Sequence, residues 1–75
     1  MSNDLVKTLA DLKEPESLNI VQERLERGDD PLNIFNDARK ALEIVGKRFE
    51  EKDYFIPDLV FSGEILKKIN DLNFI

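Results

Sequence analysis

Cysteine, histidine and tryptophan are all absent from this chain of 75 residues. Without cysteine there is no disulfide staple and no thiolate ligand. With histidine missing as well, a zinc or transition-metal site would have to be built from carboxylates alone, a poor donor set. Catalysis by a histidine general base or a cysteine nucleophile is excluded. Long apolar runs are missing too, since none approaches the roughly 20 residues that span a bilayer. The N-terminus, Met1-Ser2-Asn3-Asp4, lacks the basic start and apolar block of a signal peptide. These absences predict a cytoplasmic protein. Positive charge is the scarcer sign, 11 basic against 16 acidic residues for a net of −5. An acidic domain repels phosphate backbones and anionic bilayers, so neither nucleic acid nor a membrane is an expected partner.

What remains favours helix. Leucine, glutamate, lysine, aspartate and isoleucine dominate, and apolar residues recur with a helical period. The length allows one domain, and a chain this short buries only about 60% of its unfolded surface. The first helix is expected over 3–13, with Leu5, Leu9 and Leu12 on one face, Asn3 or Asp4 capping it and Pro15 closing it. The second is expected over 15–27. Its stripe is Leu18, Val21 and Leu25, Gly28 ends it, and Glu23, Arg24, Glu26 and Arg27 face water. The third is expected over 31–51, entered through Asp30 as cap and Pro31 at the first helical position. Phe35, Ala38, Leu42, Val45 and Phe49 form its stripe, widened by Leu32, Ile34, Ala41 and Ile44. Arg39, Lys40, Lys47 and Arg48 read as its solvated face. The fourth is expected over 57–73 and is apolar around most of its circumference, so two covered faces are expected. These segments predict an all-α fold, a small antiparallel four-helix bundle. Phe74 and Ile75 end the chain on apolar residues, which predicts that a larger protein continues past them.

The link between the last two helices is the most informative stretch. Val45-Gly46-Lys47-Arg48-Phe49-Glu50-Glu51-Lys52-Asp53-Tyr54-Phe55-Ile56-Pro57-Asp58-Leu59 places Phe49, Tyr54, Phe55 and Ile56 where a turn normally carries polar residues. Four large apolar residues over eight positions cannot all enter so small a core, so at least two are expected to present an apolar surface. Gly46, inside a helical pattern, costs up to about 1 kcal/mol against alanine and points to close approach by a backbone or a ligand. The paired carboxylates carry no acid–base chemistry: Asp29-Asp30 reads as a cap, and Glu50 and Glu51 diverge by about 100° on a helix. Lys67-Lys68 suits the C-terminal end of the last helix dipole.

The pattern V-G-x-x-F-x-x-x-x-Y-F-I-P-x-L resembles the helical cap domain of cobalamin-binding proteins, the corrinoid proteins of methyltransferase systems and cobalamin-dependent methionine synthase. Gly28-Asp29-Asp30-Pro31-Leu32 and Leu59-x-x-Ser62-Gly63-x-x-Leu66-Lys67 extend the likeness over essentially the whole chain. The resemblance implies a four-helix cap over the upper face of the corrin. By position in the motif, Phe49 and Ile56 would approach the axial methyl group of methylcobalamin. Gly46 would allow close approach, and Tyr54 and Phe55 would pin the bundle, with Tyr54 toward the corrin edge. The chain departs from the family at Lys52, where glycine is common, and at Gly63, where alanine is. It also lacks the D-x-H-x-x-G motif whose histidine ligates cobalt on a following α/β domain. The chain is therefore either cut from a longer corrinoid protein or docks on a separate one. Light-sensing relatives use a tryptophan and a Glu-His pair in the cap. With neither Trp nor His present, the resemblance points to the methyl-transfer branch.

The resemblance thus implies a non-catalytic cap that covers methylcobalamin and gates methyl transfer. Its partners would be an α/β cobalamin-binding domain and methyltransferase subunits. The competing reading is a stand-alone helical protein–protein interaction module with no cofactor, whose aromatic residues bind a partner's apolar helix.

Overall fold

The computed structural model describes residues 3–73, with Asn3 and Asn73 described through their backbone only. Four helices follow one another: α1 (Asn3–Ala10), α2 (Glu14–Glu26), α3 (Pro31–Glu50) and α4 (Ile56–Asn73). No strand occurs among the described residues, and the chain forms a small all-α antiparallel bundle in which every pair of helices touches. Phe74 and Ile75 lie outside the described residues.

Three of the boundaries are set by one device. At the end of α1 the Leu12 amide donates to the Leu9 carbonyl and the Lys13 amide to the Thr8 carbonyl, with Leu12 at φ 61°. At the end of α2 the Gly28 and Asp29 amides make the equivalent pair to Leu25 and Arg24, with Gly28 at φ 85°. At the end of α3 the Lys52 and Asp53 amides do the same to Phe49 and Arg48, with Lys52 at φ 68°. Each is a Schellman closure built on one left-handed residue, which satisfies the last carbonyls of the helix. This device ends α1 at Ala10, short of the expected Lys13, because Leu12 has already left the helical conformation. Lys52 takes the left-handed conformation despite its side chain.

The helix starts are equally local. Asp30 caps α3 by accepting from the Leu32 amide at 3.0 Å, and Pro31 occupies the first helical position. Lys13 precedes α2 in an extended conformation without a side-chain cap. Phe55 precedes α4 and has no capping oxygen. Asp58 compensates by accepting from the Phe55 amide at 2.8 Å, the reach-back half of a capping box.

The core comprises Leu5, Leu9 and Ala10 of α1, Val21 of α2, Ile34, Ala38 and Ala41 of α3, and Ile65 and Ile69 of α4. The buried seams of α2 and α3 include Val21, Ile34, Ala38, Ala41 and Val45 of the expected stripes, but swing toward Ser17, Arg24 and Asp37. In α2 the buried positions are Ser17, Val21 and Arg24, with Leu18 and Leu25 half-buried beside them. In α3 they are Ile34, Asp37, Ala38, Ala41 and Val45, with Phe35 and Leu42 half-buried and Leu32 exposed. Helical periodicity fixes the spacing but leaves the phase ambiguous when apolar residues also fill the flanks. The α4 helix is not covered all round: Val60 and Gly63 are exposed while Ser62, Ile65 and Ile69 are buried. The Ser62 hydroxyl donates to its own helix at the Leu59 carbonyl, 2.7 Å away. Ser17 is buried with a hydroxyl that finds no partner among the described residues.

Candidate functional site

Two arginines expected to face water do not. Arg24 is only 5% exposed. Its Nε donates to Asp29 and its Nη1 to Asp37, both at 2.8 Å, which ties the end of α2 to the following turn and to α3. Burial works against the charged guanidinium, but the two carboxylates outweigh it and hold the Arg24 pKa above its ordinary value. Asp29 is held below its ordinary value, chiefly by the hydrogen bond from Arg24. A polar cleft of about 410 Å³ lies beside this network, lined among others by Arg27, Asn36 and Lys40.

The second arginine stands at the other end of α3. Arg48 Nη1 lies 2.9 Å from the Ala10 carbonyl, 2.9 Å from Asp11 Oδ1 and 2.9 Å from the Tyr54 hydroxyl. The Tyr54 hydroxyl itself donates to the Ala10 carbonyl at 2.7 Å. The guanidinium carbon is 5.5 Å from the centroid of the Tyr54 ring, within cation–π range. The Tyr54 amide donates to the Arg48 carbonyl at 3.2 Å. The Arg48 pKa is raised, first by the hydrogen bond to Asp11 and then by that to Tyr54. The turn between α3 and α4 is thereby tied to the end of α1. Tyr54 is half-buried and pins the bundle.

Phe55 does not pin it. The backbone that turns Tyr54 inward sends Phe55 out, and it is 63% exposed. Ile56 is 66% exposed, Val60 57% and Phe49 39%. The corner therefore carries an open apolar surface made of the end of α3 and the first turns of α4. By helical spacing Leu42, Gly46 and Phe49 share one face of α3, and Ile56, Val60 and Gly63 share one face of α4. A Cβ added at Gly46 or at Gly63 meets no atom within 4 Å. No backbone of the described protein crowds Gly46, which removes one of the two reasons for a glycine there.

In chemical terms this surface excludes water and does little else. Its four exposed side chains are hydrocarbon, and none can act as acid, base or nucleophile. Among the described residues no group of three or more His, Cys, Asp or Glu could hold a metal ion. Among those residues no helix is long and apolar enough to cross a membrane. Sequence reasoning identified the apolar corner but missed Arg24, Arg48, Asp11 and Asp37. The signal was available: Arg24 falls three residues after Val21, and Arg48 three after Val45, each continuing a buried seam.

The architecture is a four-helix bundle that turns an apolar corner outward. The chain belongs to the B12 binding domain family, whose match extends over residues 1–72 and is of the helical cap type. Neither a search of curated proteins nor a search of solved structures returned a match.

Proposed function

We propose that the chain is the cap of a methyltransferase corrinoid protein. It covers the upper axial face of methylcobalamin and gates methyl transfer to or from a partner methyltransferase. Family membership supports the association with cobalamin. The observation that carries the finer reading is the exposure of Phe49 and Ile56 on a corner whose neighbour, Tyr54, is anchored.

The residues at the corner fit that group. A corrin presents a broad face with an apolar methyl at its centre, and the corner offers aromatic and aliphatic side chains with no donor to compete for cobalt. When bound, the cofactor supplies a transferable methyl group. Phe49 and Ile56 are the side chains that would face that group and keep water from it. Gly46, open above its Cα, lets the macrocycle approach the α3 backbone. The Tyr54 ring would meet the corrin edge, while its hydroxyl holds the turn. An α/β cobalamin-binding domain supplies the rest of the cofactor's binding surface, because the cap carries no histidine. Gating follows from displacement of the whole cap as one body when a methyltransferase needs access.

The test is the corrin absorbance and photolysis rate of the full-length protein loaded with methylcobalamin, wild type against Phe49→Ala and Ile56→Ala. Both substitutions lie on the surface, so the fold is retained. The expected result is an altered spectrum or at least a twofold faster photolysis. Identical spectra and rates in both variants overturn the reading and leave a cofactor-free interaction surface.

A further inference from the structure

The residues between Phe49 and Ile56 have to turn the chain by a half circle while keeping both side chains outward. A turn that carries its apolar residues to solvent has no hydrophobic driving force to hold its shape. Polar contacts must fix it: the backbone closure at Lys52 and Asp53 and the Asp58 cap hold the turn locally, and one side-chain cluster ties it to another helix. Arg48 and Tyr54 bracket the turn at its two ends, and both reach the same acceptor, the Ala10 carbonyl, at 2.9 and 2.7 Å. That carbonyl belongs to the last turn of α1, where helical acceptors lack intrahelical donors. Asp11 adds the countercharge at 2.9 Å. Arg48 and Tyr54 are half-buried, so the contacts are neither fully screened nor lost inside the core.

We propose that Arg48, Tyr54 and Asp11 form a latch that positions the apolar corner. It clamps the α3–α4 turn to the end of α1 and fixes the directions of Phe49 and Ile56. Arg48 immediately precedes Phe49, and Tyr54 stands two residues before Ile56, so each anchor acts on a side chain next to it. The three are positioning residues, and none of them touches the cofactor through the latch atoms. This step rests on the cap reading for its purpose but not for its geometry. Its consequence is that the cap meets its ligand with the corner already formed, so no ordering cost is added on binding.

Two measurements test it, and they fail separately. The first needs no cofactor. Backbone amide order parameters for Asp53 to Ile56 are recorded in wild type, Tyr54→Phe and Arg48→Met. Both variants are expected to fall measurably below about 0.85 in this segment, while amides in α2 stay rigid. Unchanged order in both variants overturns the latch. The second uses the full-length protein loaded with methylcobalamin, with Tyr54→Phe compared against Ile69→Val, a core truncation that lowers stability without touching the corner. Tyr54→Phe is expected to speed photolysis at least twofold and Ile69→Val to leave it unchanged. Equal effects from the two reduce the latch to ordinary stability and overturn its positioning role. If Ile56→Ala changes photolysis and Tyr54→Phe changes neither readout, the latch is wrong and the cap reading stands. If Tyr54→Phe loosens the turn but no corner variant changes photolysis, the cap reading falls and takes the purpose of the latch with it.

Discussion

The two ends of α3 solve the same problem with the same residue and reach opposite surfaces. At the N-terminal end, Arg24 joins the α2–α3 turn to two carboxylates, and every local choice there is the favourable one. Gly28 takes the left-handed position, Asp30 caps and Pro31 starts the helix. At the C-terminal end, Arg48 joins the α3–α4 turn to α1, and the local choices run against preference. Lys52 takes the left-handed position, Phe55 stands in the cap position without a capping oxygen, and Phe55 and Ile56 are left in solvent. Departures of this kind concentrate where a surface is kept for something other than folding. The first end is a closure of the bundle, and the second is a closure that also displays a surface.

The contrast predicts unequal costs for the two arginines. Arg24→Met leaves Asp37, whose side chain is only 10% exposed, without its countercharge. Breaking a buried pair in this way costs about 3 kcal/mol or more. That is a large share of the roughly 4–11 kcal/mol expected for a domain of this length. Arg48→Met should cost about 1–2 kcal/mol, because its side chain is a third exposed and Tyr54 keeps its own bond to Ala10. Urea unfolding of the two variants measures both. Equal losses would erase the distinction between the two ends.

Reversing the turn residues sharpens it. Lys52→Gly relieves a left-handed position that costs a side chain roughly 1–2 kcal/mol, less the extra chain entropy that glycine brings. A gain of about 0.5–1 kcal/mol is expected in urea unfolding. Gly28→Ala should lose about 1 kcal/mol at the matching position, where the φ of 85° is equally unwelcome to a side chain. At the displayed surface, Phe55→Ala and Ile56→Ala should change stability by no more than about 0.5 kcal/mol, since neither side chain is buried. A loss of 2 kcal/mol or more, on the order of a deleted core residue, would mean that the corner is packed after all.

The helices and their class were legible because periodicity, proline and glycine act locally. Pro31 after Asp30, and Gly28 after the α2 stripe, fix boundaries without any knowledge of neighbours. The phase of the seams was not legible, because Phe35, Leu42 and Phe49 repeat with the same period as Ile34, Ala41 and Arg48. The expected stripe held Ile34 and Ala41 as flanks but continued to Phe49, which left Arg48 on the solvated face and hid the latch. Only tertiary contact decides between two adjacent rows of equal period. The same holds for Arg24, whose carboxylate partners are 5 and 13 residues away and meet it only once α2 and α3 have docked. The apolar corner was legible by arithmetic of another kind: there were more large side chains in the turn than the core could accept. Which of them would be left outside was decided by the anchoring of Tyr54, which turns its neighbour Phe55 to solvent.

The smallest effect concerns acid. Asp29 is exposed, yet its pKa is held below the ordinary carboxylate value by the hydrogen bond from Arg24. In the window just below the unfolded-chain value of about 3.9 the unfolded state binds the proton more readily than the folded state. Stability from this contact is therefore complete above that value and is lost as pH falls through the lower, folded pKa. Asp29→Asn should flatten the fall in stability below about pH 4 while leaving the neutral-pH slope alone. At the corner the group with a raised pKa is the Arg48 guanidinium, which stays charged throughout that range. Arg48→Met should therefore leave the Asp29-dependent slope below pH 4 intact. Thermal unfolding across pH separates the two. If the effect of Asp29→Asn on the acid limb disappears in the Arg48→Met background, the two ends are electrostatically coupled through α3 and cannot be treated as independent closures.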